Sequence, residues 1–310
     1  MTVARQDHRT LIAGLTADQR QSLCKQSDAP GLRRFAVHAG LVAATGTYIV
    51  AGAPLWWLAM PLQGALIVFL FTALHETIHG TAFRSEWLNT LVANVCGFLV
   101  VLPPQHFRYF HLAHHRFTHD PDRDPELEGA KPRTLWDYLR YLSGVPDWVW
   151  RVQNIARNAV RENADPYVPD RARARVRSEA QRFAILYLAL ATASVATESA
   201  APVFAWLLPI LIGGPALRAY LLAEHARCPH VADMFQNTRT TLTNRLVRFF
   251  AWNMPFHAEH HAYPAVPFHR LPDLHRLTRD HLHVLEPGYA RFNARYAQDA
   301  AADRIAVDTG

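Results

Sequence analysis

The sequence predicts an all-α integral membrane protein with four transmembrane helices, paired as two hairpins beneath a cytosolic helical cap. Two apolar blocks of 41 residues each, Phe35–His75 and Phe183–Ala223, interrupt an otherwise polar chain of 310 residues. A proline lies near the middle of each block, Pro54 and Pro202. The basic residues avoid both midpoints.

The mean hydropathy is near zero, which alone would suit a soluble enzyme, but the average hides this clumping. Phe35–His75 holds no Asp, Glu, Lys or Arg, and Phe183–Ala223 holds only Glu198 and Arg218. A helix of either length would measure about 60 Å, twice the roughly 30 Å hydrocarbon core, so each block folds as two arms of about 20 residues. Of the 32 Lys and Arg residues, six fall in 1–34, fourteen in 103–182 and ten in 223–310; the others are Arg84 and Arg218. Retained basic loops mark the cytosolic side, so both termini and the middle segment belong there, with Ala53 and Ala201 facing outward across an inner or cytoplasmic membrane. Arg171, Arg173, Arg175 and Arg177, just before the second block, suit contact with anionic lipid headgroups. No stacking or groove-reading module accompanies the arginines, so the net charge of +6 does not point to nucleic acid. Because 34 largely polar residues precede the first apolar block, no signal peptide is expected. Cys24, Cys96 and Cys228 lack the paired spacing of a zinc site, an iron–sulfur cluster or a disulfide framework, and fit a reducing compartment.

The chain reads as one domain over 1–310, with cytosolic tails at 1–34 and 286–310. Trp87–Leu102 is apolar but only 16 residues long, which predicts a re-entrant or interfacial helix. Pro103–Arg182 forms half of the cap, and its amphipathic Trp136–Ile155 stretch suits a helix on the membrane surface. Residues 226–310 form the other half, cut into short helices by Pro255, Pro264, Pro267 and Pro272.

Three histidine clusters occupy this cytosolic side: His75 and His79; His111, His114 and His115; His257, His260 and His261. Residues at i, i+3 and i+4 share one face of a helix, so each cluster aims its imidazoles at one point. With 18 histidines in the chain, H-x-x-H-H is expected roughly 0.06 times by chance. It occurs twice, which argues against accident. His225 ends the predicted fourth crossing and reaches the same face. Nine imidazoles are too many for one metal and suit two. Ligand type alone leaves zinc, copper, iron and nickel open. The first cluster also reads H-E-x-x-H, as in zinc proteases, but that chemistry would leave the other two clusters unexplained.

The order His75-x3-His79, His111-x2-His114-His115, His257-x2-His260-His261, with a further histidine after the fourth crossing, resembles the membrane fatty acid desaturase and hydroxylase superfamily. The flanks Thr118–Glu126 and Tyr263–Pro272 sharpen the likeness, which covers about residues 35–285. One departure is His119, which stands where many desaturases have Asn. The resemblance implies two iron ions held by these nine histidines, O2 and two electrons per turnover, and a mushroom-like fold of four crossings under a cap. It implies desaturation or hydroxylation of a lipid acyl chain. Carotenoid ketolases and alkane hydroxylases have similar boxes, so the substrate stays open among acyl lipids, carotenoids, alkanes and smaller molecules.

Glu76, Asp120, Asp124, Glu224 and Glu259 stand beside the boxes, where each can accept a hydrogen bond from the second nitrogen of a ligating imidazole. His8, His38, His106, His230, His269, His275, His281 and His283 read as surface or core histidines. Asn237–Thr241 reads either as the edge of an entrance or as a capped loop leading into a helix. Abstracting hydrogen from an unactivated carbon is beyond any side-chain acid or base, which calls for a metal–oxygen oxidant. No dinucleotide fingerprint, haem motif or cysteine cluster supplies electrons, so a separate donor, a ferredoxin or similar protein, is expected to dock on the basic cap. Metal transport is the competing class, but it would want polar ligands near the bilayer midplane rather than at one face.

Overall fold

The protein is described here by a computed structural model covering residues 5–129 and 131–305. Two short helices, α1 (His8–Gly14) and α2 (Ala17–Leu23), lead into the first apolar block. Asp7 caps α1 by accepting from the Thr10 amide, and Thr16 and Gln19 form a reciprocal capping box on α2. Helix α3 (Asp28–Val50) then pairs with α4 (Met60–His79) as a hairpin. Pro54 lies in the turn, beside Gly52 and Leu55 in left-handed conformations. His38 donates from Nε2 to the Leu66 carbonyl at 2.7 Å, pinning α3 to α4 as a core histidine does.

The second block forms α9 (Asp170–Ala196) and α10 (Leu208–His225), the latter continued backwards by a π-helical turn at Val203–Leu207. Among the described residues, two helical stretches are long and apolar enough to cross a membrane, Trp56–His79 and Val203–His225. Four equal crossings are therefore not what the helices present. The first arm of each hairpin starts in a charged segment. Only Phe35–Val50 of α3 is free of charge, about 24 Å of helix, and only Phe183–Ala196 of α9, about 21 Å. Their outer faces still expose apolar side chains, including Val37 and Leu41 on α3 and Ile185 and Leu188 on α9.

Between the hairpins, α5 (Glu86–Leu99) and α6 (Pro104–Phe117) meet at 99°, and counting this bent pair as one span would give a third crossing. Val101 takes φ 55°, and consecutive prolines at 103 and 104 cannot continue α5, so the chain restarts with Pro104 at the first position of α6. The apolar Trp87–Leu102 stretch is thus α5 and the turn after it, and the chain bends by 99° into α6. The amphipathic stretch read as one helix over Trp136–Ile155 is two, α7 (Leu135–Leu142) and α8 (Val145–Val160). Gly144 at φ 69° breaks it, and Pro146 starts the next turn.

After α10 come α11 (Met234–Asn237), α12 (Arg245–Phe250), α13 (His257–Ala262), α14 (Leu271–Thr278) and α15 (Tyr289–Ala301). Two parallel two-residue strands, β1 (Thr240–Thr241) and β2 (Leu285–Glu286), pair the segment after α11 with the segment after α14. Helices α1 and α15 seat on histidine-bearing helices. Leu11 packs with Phe235 and Ala258, and Phe292 and Tyr296 pack with Tyr138, Leu222 and Ala223.

The axis of the molecule is the crossing of α4 on α10. Gly64 and Gly213 meet there so closely that a Cβ on Gly64 would lie 2.0 Å from the Pro209 carbonyl oxygen, and one on Gly213 would lie 2.3 Å from the Gly64 carbonyl carbon. Small residues let two backbones touch, which matters where hydrocarbon gives helices little hydrophobic reason to associate. Both helices run from this point to the same end of the molecule, where α4 delivers His75 and His79 and α10 delivers His225.

Candidate metal centre

Four elements bring the nine histidines together. The last turn of α4 carries His75 and His79 and stops at Gly80, which adopts φ 75° as a left-handed C-cap. Helix α6 presents His111, His114 and His115, helix α13 presents His257, His260 and His261, and His225 is the last residue of α10. Eight of the nine are buried, and His79 is half-buried.

The imidazoles separate into two groups. His75, His79, His111, His115 and His260 place one ring nitrogen each within 4.8 Å of one another, and His114, His225 and His261 do the same. In the first group His75 Nε2 lies 2.8 Å from His260 Nε2, and His111 Nε2 lies 3.0 Å from the Nε2 atoms of both His75 and His79. In the second, His225 Nε2 is 3.1 Å from His114 Nε2 and 3.2 Å from His257 Nε2, which joins His257 to that group.

The surroundings of the second group fix which nitrogen faces inward. His114 Nδ1 donates to Asp124 Oδ1 at 2.9 Å, and His261 Nδ1 donates to Thr118 Oγ1 at 3.2 Å, that hydroxyl's own proton going to the His114 carbonyl. His225 Nδ1 faces the Asn237 carbonyl and His257 Nδ1 faces Glu224 Oε1, each at 3.5 Å. Three of these Nδ1 atoms hydrogen-bond an outward acceptor and that of His257 faces Glu224 without a hydrogen bond, which leaves the Nε2 lone pairs facing one another. Burial pushes His257 down to about 3, and burial followed by neighbouring imidazoles holds His260 and His261 well below the ordinary histidine range. These rings are neutral across the working pH range, the state a metal requires of them. Converging lone pairs about 3 Å apart repel unless a cation lies among them, so the donor set fits two nitrogen-bound metal ions.

The acidic residues singled out from sequence divide. Asp124 orients His114 and also accepts from the backbone amides of His119 and Glu126 at 2.8 and 2.9 Å. Glu224 stands behind His257. Glu76 is engaged elsewhere, accepting from Thr81 Oγ1 at 2.7 Å and the Phe268 amide at 2.9 Å, which locks the first box to the flank of the third. Glu259 binds His275 Nδ1 and Thr240 Oγ1, and Asp120 pairs with Arg123 near the surface. His119 packs near His225 and His230, with ring centroids at 5.6 and 4.8 Å.

Sequence reasoning missed several contributors. Thr118 was quoted only as part of a flank, although its position four residues after His114 is the usual spacing for a hydroxyl to bond back to a helix carbonyl. Arg239 donates to the carbonyls of Ala223 and Ala226, fastening the end of α10 on which His225 sits. The buried Asn237–Thr241 run is thus a structural clamp between α10, β2 and α13. Glu126, also quoted only in a flank, places Oε2 3.3 Å from His114 Nε2.

A cavity of about 550 Å³ reaches this centre, within the range that holds small-molecule ligands. His75, His111, His114 and His257 close one end, Phe71, Phe107 and Leu221 line its apolar wall, and Lys131, Arg151 and Arg218 line a polar one.

The fatty acid desaturase family profile matches residues 33–296. Two curated proteins align over shorter stretches. An sn-1 oleoyl-lipid 12-desaturase of a Picosynechococcus species is 27% identical over 119 residues, 35% of this chain and 34% of its own length. An sn-1 acyl-lipid omega-3 desaturase (ferredoxin) of a Nostoc species is 29% identical over 87 residues, 27% of this chain and 23% of its own length. The aligned part therefore spans about a third of the first relative and about a quarter of the second.

Proposed function

We propose, from the premise that this chain belongs to the fatty acid desaturase family, that it is a membrane oxygenase that uses O2 to desaturate or hydroxylate a lipid-like substrate at two histidine-held irons. The observation that carries this reading is the inward convergence of nine imidazoles in two groups at one end of the α4–α10 pair. His75, His79, His111, His115 and His260 would hold one iron, and His114, His225, His257 and His261 the other. Iron bound there supplies the oxidising power toward an unactivated C–H bond that no side chain possesses.

The chain's own residues do the positioning. Asp124, Thr118 and the Asn237 carbonyl keep three of the second group's rings in the tautomer that turns Nε2 inward. Phe71, Phe107 and Leu221 hold apolar substrate against His75 and His111 and keep bulk water from the reacting carbon. O2 accepts four electrons, of which the C–H oxidation provides two, so a donor must bring the rest. The Nostoc relative's name specifies ferredoxin. A ferredoxin-like donor docking on the basic cap is the corresponding proposal here. All four hairpin arms sit in the membrane in this reading, with the histidine end and both termini on the cytosolic side, as the arginine distribution favours.

Expression in a heterologous host with a ferredoxin system tests the activity, with His260→Ala as the inactive comparison. Lipid extracts from the wild-type strain should contain a species two hydrogens lighter or one oxygen heavier than a host lipid, formed only in air. An identical lipid profile in both strains, with the wild-type protein iron-loaded and the donor reduced, would contradict the assignment.

A further inference from the structure

An imidazole that binds a metal through its lone pair is uncharged, so nine of them would bring no negative charge to two divalent cations in a buried site. Uncompensated buried charge is costly, so a carboxylate is wanted within reach. Among the described residues, three carboxylates approach the second group. Asp124 stands behind His114, on its Nδ1 side, and Glu224 stands behind His257 in the same way. Glu126 alone faces the inner side, with Oε2 3.3 Å from the same His114 Nε2 that lies 3.1 Å from His225 Nε2.

Its placement is built rather than incidental. Pro125–Glu128 is a 3₁₀ turn whose N-cap is Asp124, and Asp124 Oδ1 accepts both the Glu126 amide and His114 Nδ1, each at 2.9 Å. One carboxylate thus sets the histidine and the glutamate against each other. The other Glu126 oxygen, Oε1, accepts from Lys131 Nζ at 2.7 Å, and both side chains line the cavity. With its Nδ1 proton given to Asp124, His114 has none at Nε2 once that atom donates its lone pair to iron. Glu126 Oε2, 3.3 Å from that nitrogen, would then be within reach of an ion held by it.

Resting on the di-iron reading above, we propose that Glu126 is a carboxylate ligand of the second iron, shared with His114, His225, His257 and His261, its other oxygen staying bonded to Lys131. The site would therefore be a histidine–carboxylate site rather than an all-histidine one, and its anionic ligand would stand on the wall of the substrate cavity.

The test is iron content of the purified full chain during titration with an iron(II) chelator, for wild type, Glu126→Gln and Lys131→Met. Glutamine is close to isosteric and still accepts from Lys131, so it removes the charge while keeping the shape. Wild type should hold two irons, and Glu126→Gln should release one of them at a chelator concentration at least about 100-fold lower, beyond the roughly 10–100-fold that loss of an orienting partner costs. Lys131→Met should keep both. Equal retention in Glu126→Gln and wild type overturns the proposal, as does equal loss in Lys131→Met, which would make Glu126 a partner of the lysine alone. If Glu126→Gln does not fold, Glu126→His replaces it, since an imidazole offers a lone pair but no charge for Lys131. Retention of the second iron in that variant supports the ligand role, and its loss overturns it. A wild-type chain that binds no iron sinks the di-iron reading and this inference together, whereas two irons in wild type with an unaffected Glu126→Gln sinks the inference alone.

Discussion

Replacing His225 by alanine is expected to leave a folded, membrane-inserted protein that holds about one iron instead of two and turns over at least about 100-fold more slowly. His225 belongs to none of the three boxes, yet its Nε2 bridges His114 at 3.1 Å and His257 at 3.2 Å. Removing it deletes the atom that joins two boxes in one group. The effect should exceed that of losing an orienting partner, which typically costs about 10–100-fold. Folding should survive, because the end of α10 is also held by Arg239 on the Ala223 and Ala226 carbonyls and by Leu222 and Ala223 in the packing beneath α15. Iron analysis beside product formation checks this. Full iron content with near-normal turnover would mean that only the three boxes bind metal.

Gly64→Ala is expected to have a comparably large effect from the far end of the same helices. The new Cβ would fall 2.0 Å from the Pro209 carbonyl oxygen and 2.8 Å from the Gly213 amide nitrogen, both backbone atoms that no rotamer change can move. Overpacking costs about 1–3 kcal/mol even where side chains yield, and here α4 and α10 must separate. Rigid helices carry that separation to their histidine ends, where Nε2 contacts of 2.8 to 3.2 Å leave no slack. A lower thermal midpoint in detergent and loss of iron are the expected readings. Gly40→Ala on α3 is the control, since nothing lies within 4 Å of its Cβ position and alanine gains about 1 kcal/mol of helix propensity. Equal midpoints for Gly64→Ala and Gly40→Ala would show that the helix crossing is not under this constraint.

The histidine centre was legible because its information is local. Spacings of three and four put ligands on one face of α4, α6 and α13, and the arginine distribution placed those faces on one side of the membrane. His225 was legible from its place at the end of an apolar block. What stayed hidden depends on how segments meet. Glu126 reads as one acid among several in Asp120–Glu128, and only the turn capped by Asp124 swings it toward His114 rather than into solvent. Glu76 and Glu259 stand inside boxes yet turn away, because an acid on the same helix as its histidines shares their face only at particular offsets, and both found partners on neighbouring segments. The split between α7 and α8 hung on Gly144, whose left-handed conformation outweighed an otherwise continuous amphipathic pattern. The apolar blocks gave the hairpins, but they did not show that α3 and α9 begin inside charged sequence and carry only part of a bilayer's thickness as apolar helix.

The central claim is that nine imidazoles from four elements hold two irons. Elemental analysis of the full-length chain, expressed with ample iron and purified in detergent, measures this directly. Close to two irons per chain and little zinc are expected, in keeping with the two groups of converging nitrogens. Stoichiometric zinc with no iron would contradict it.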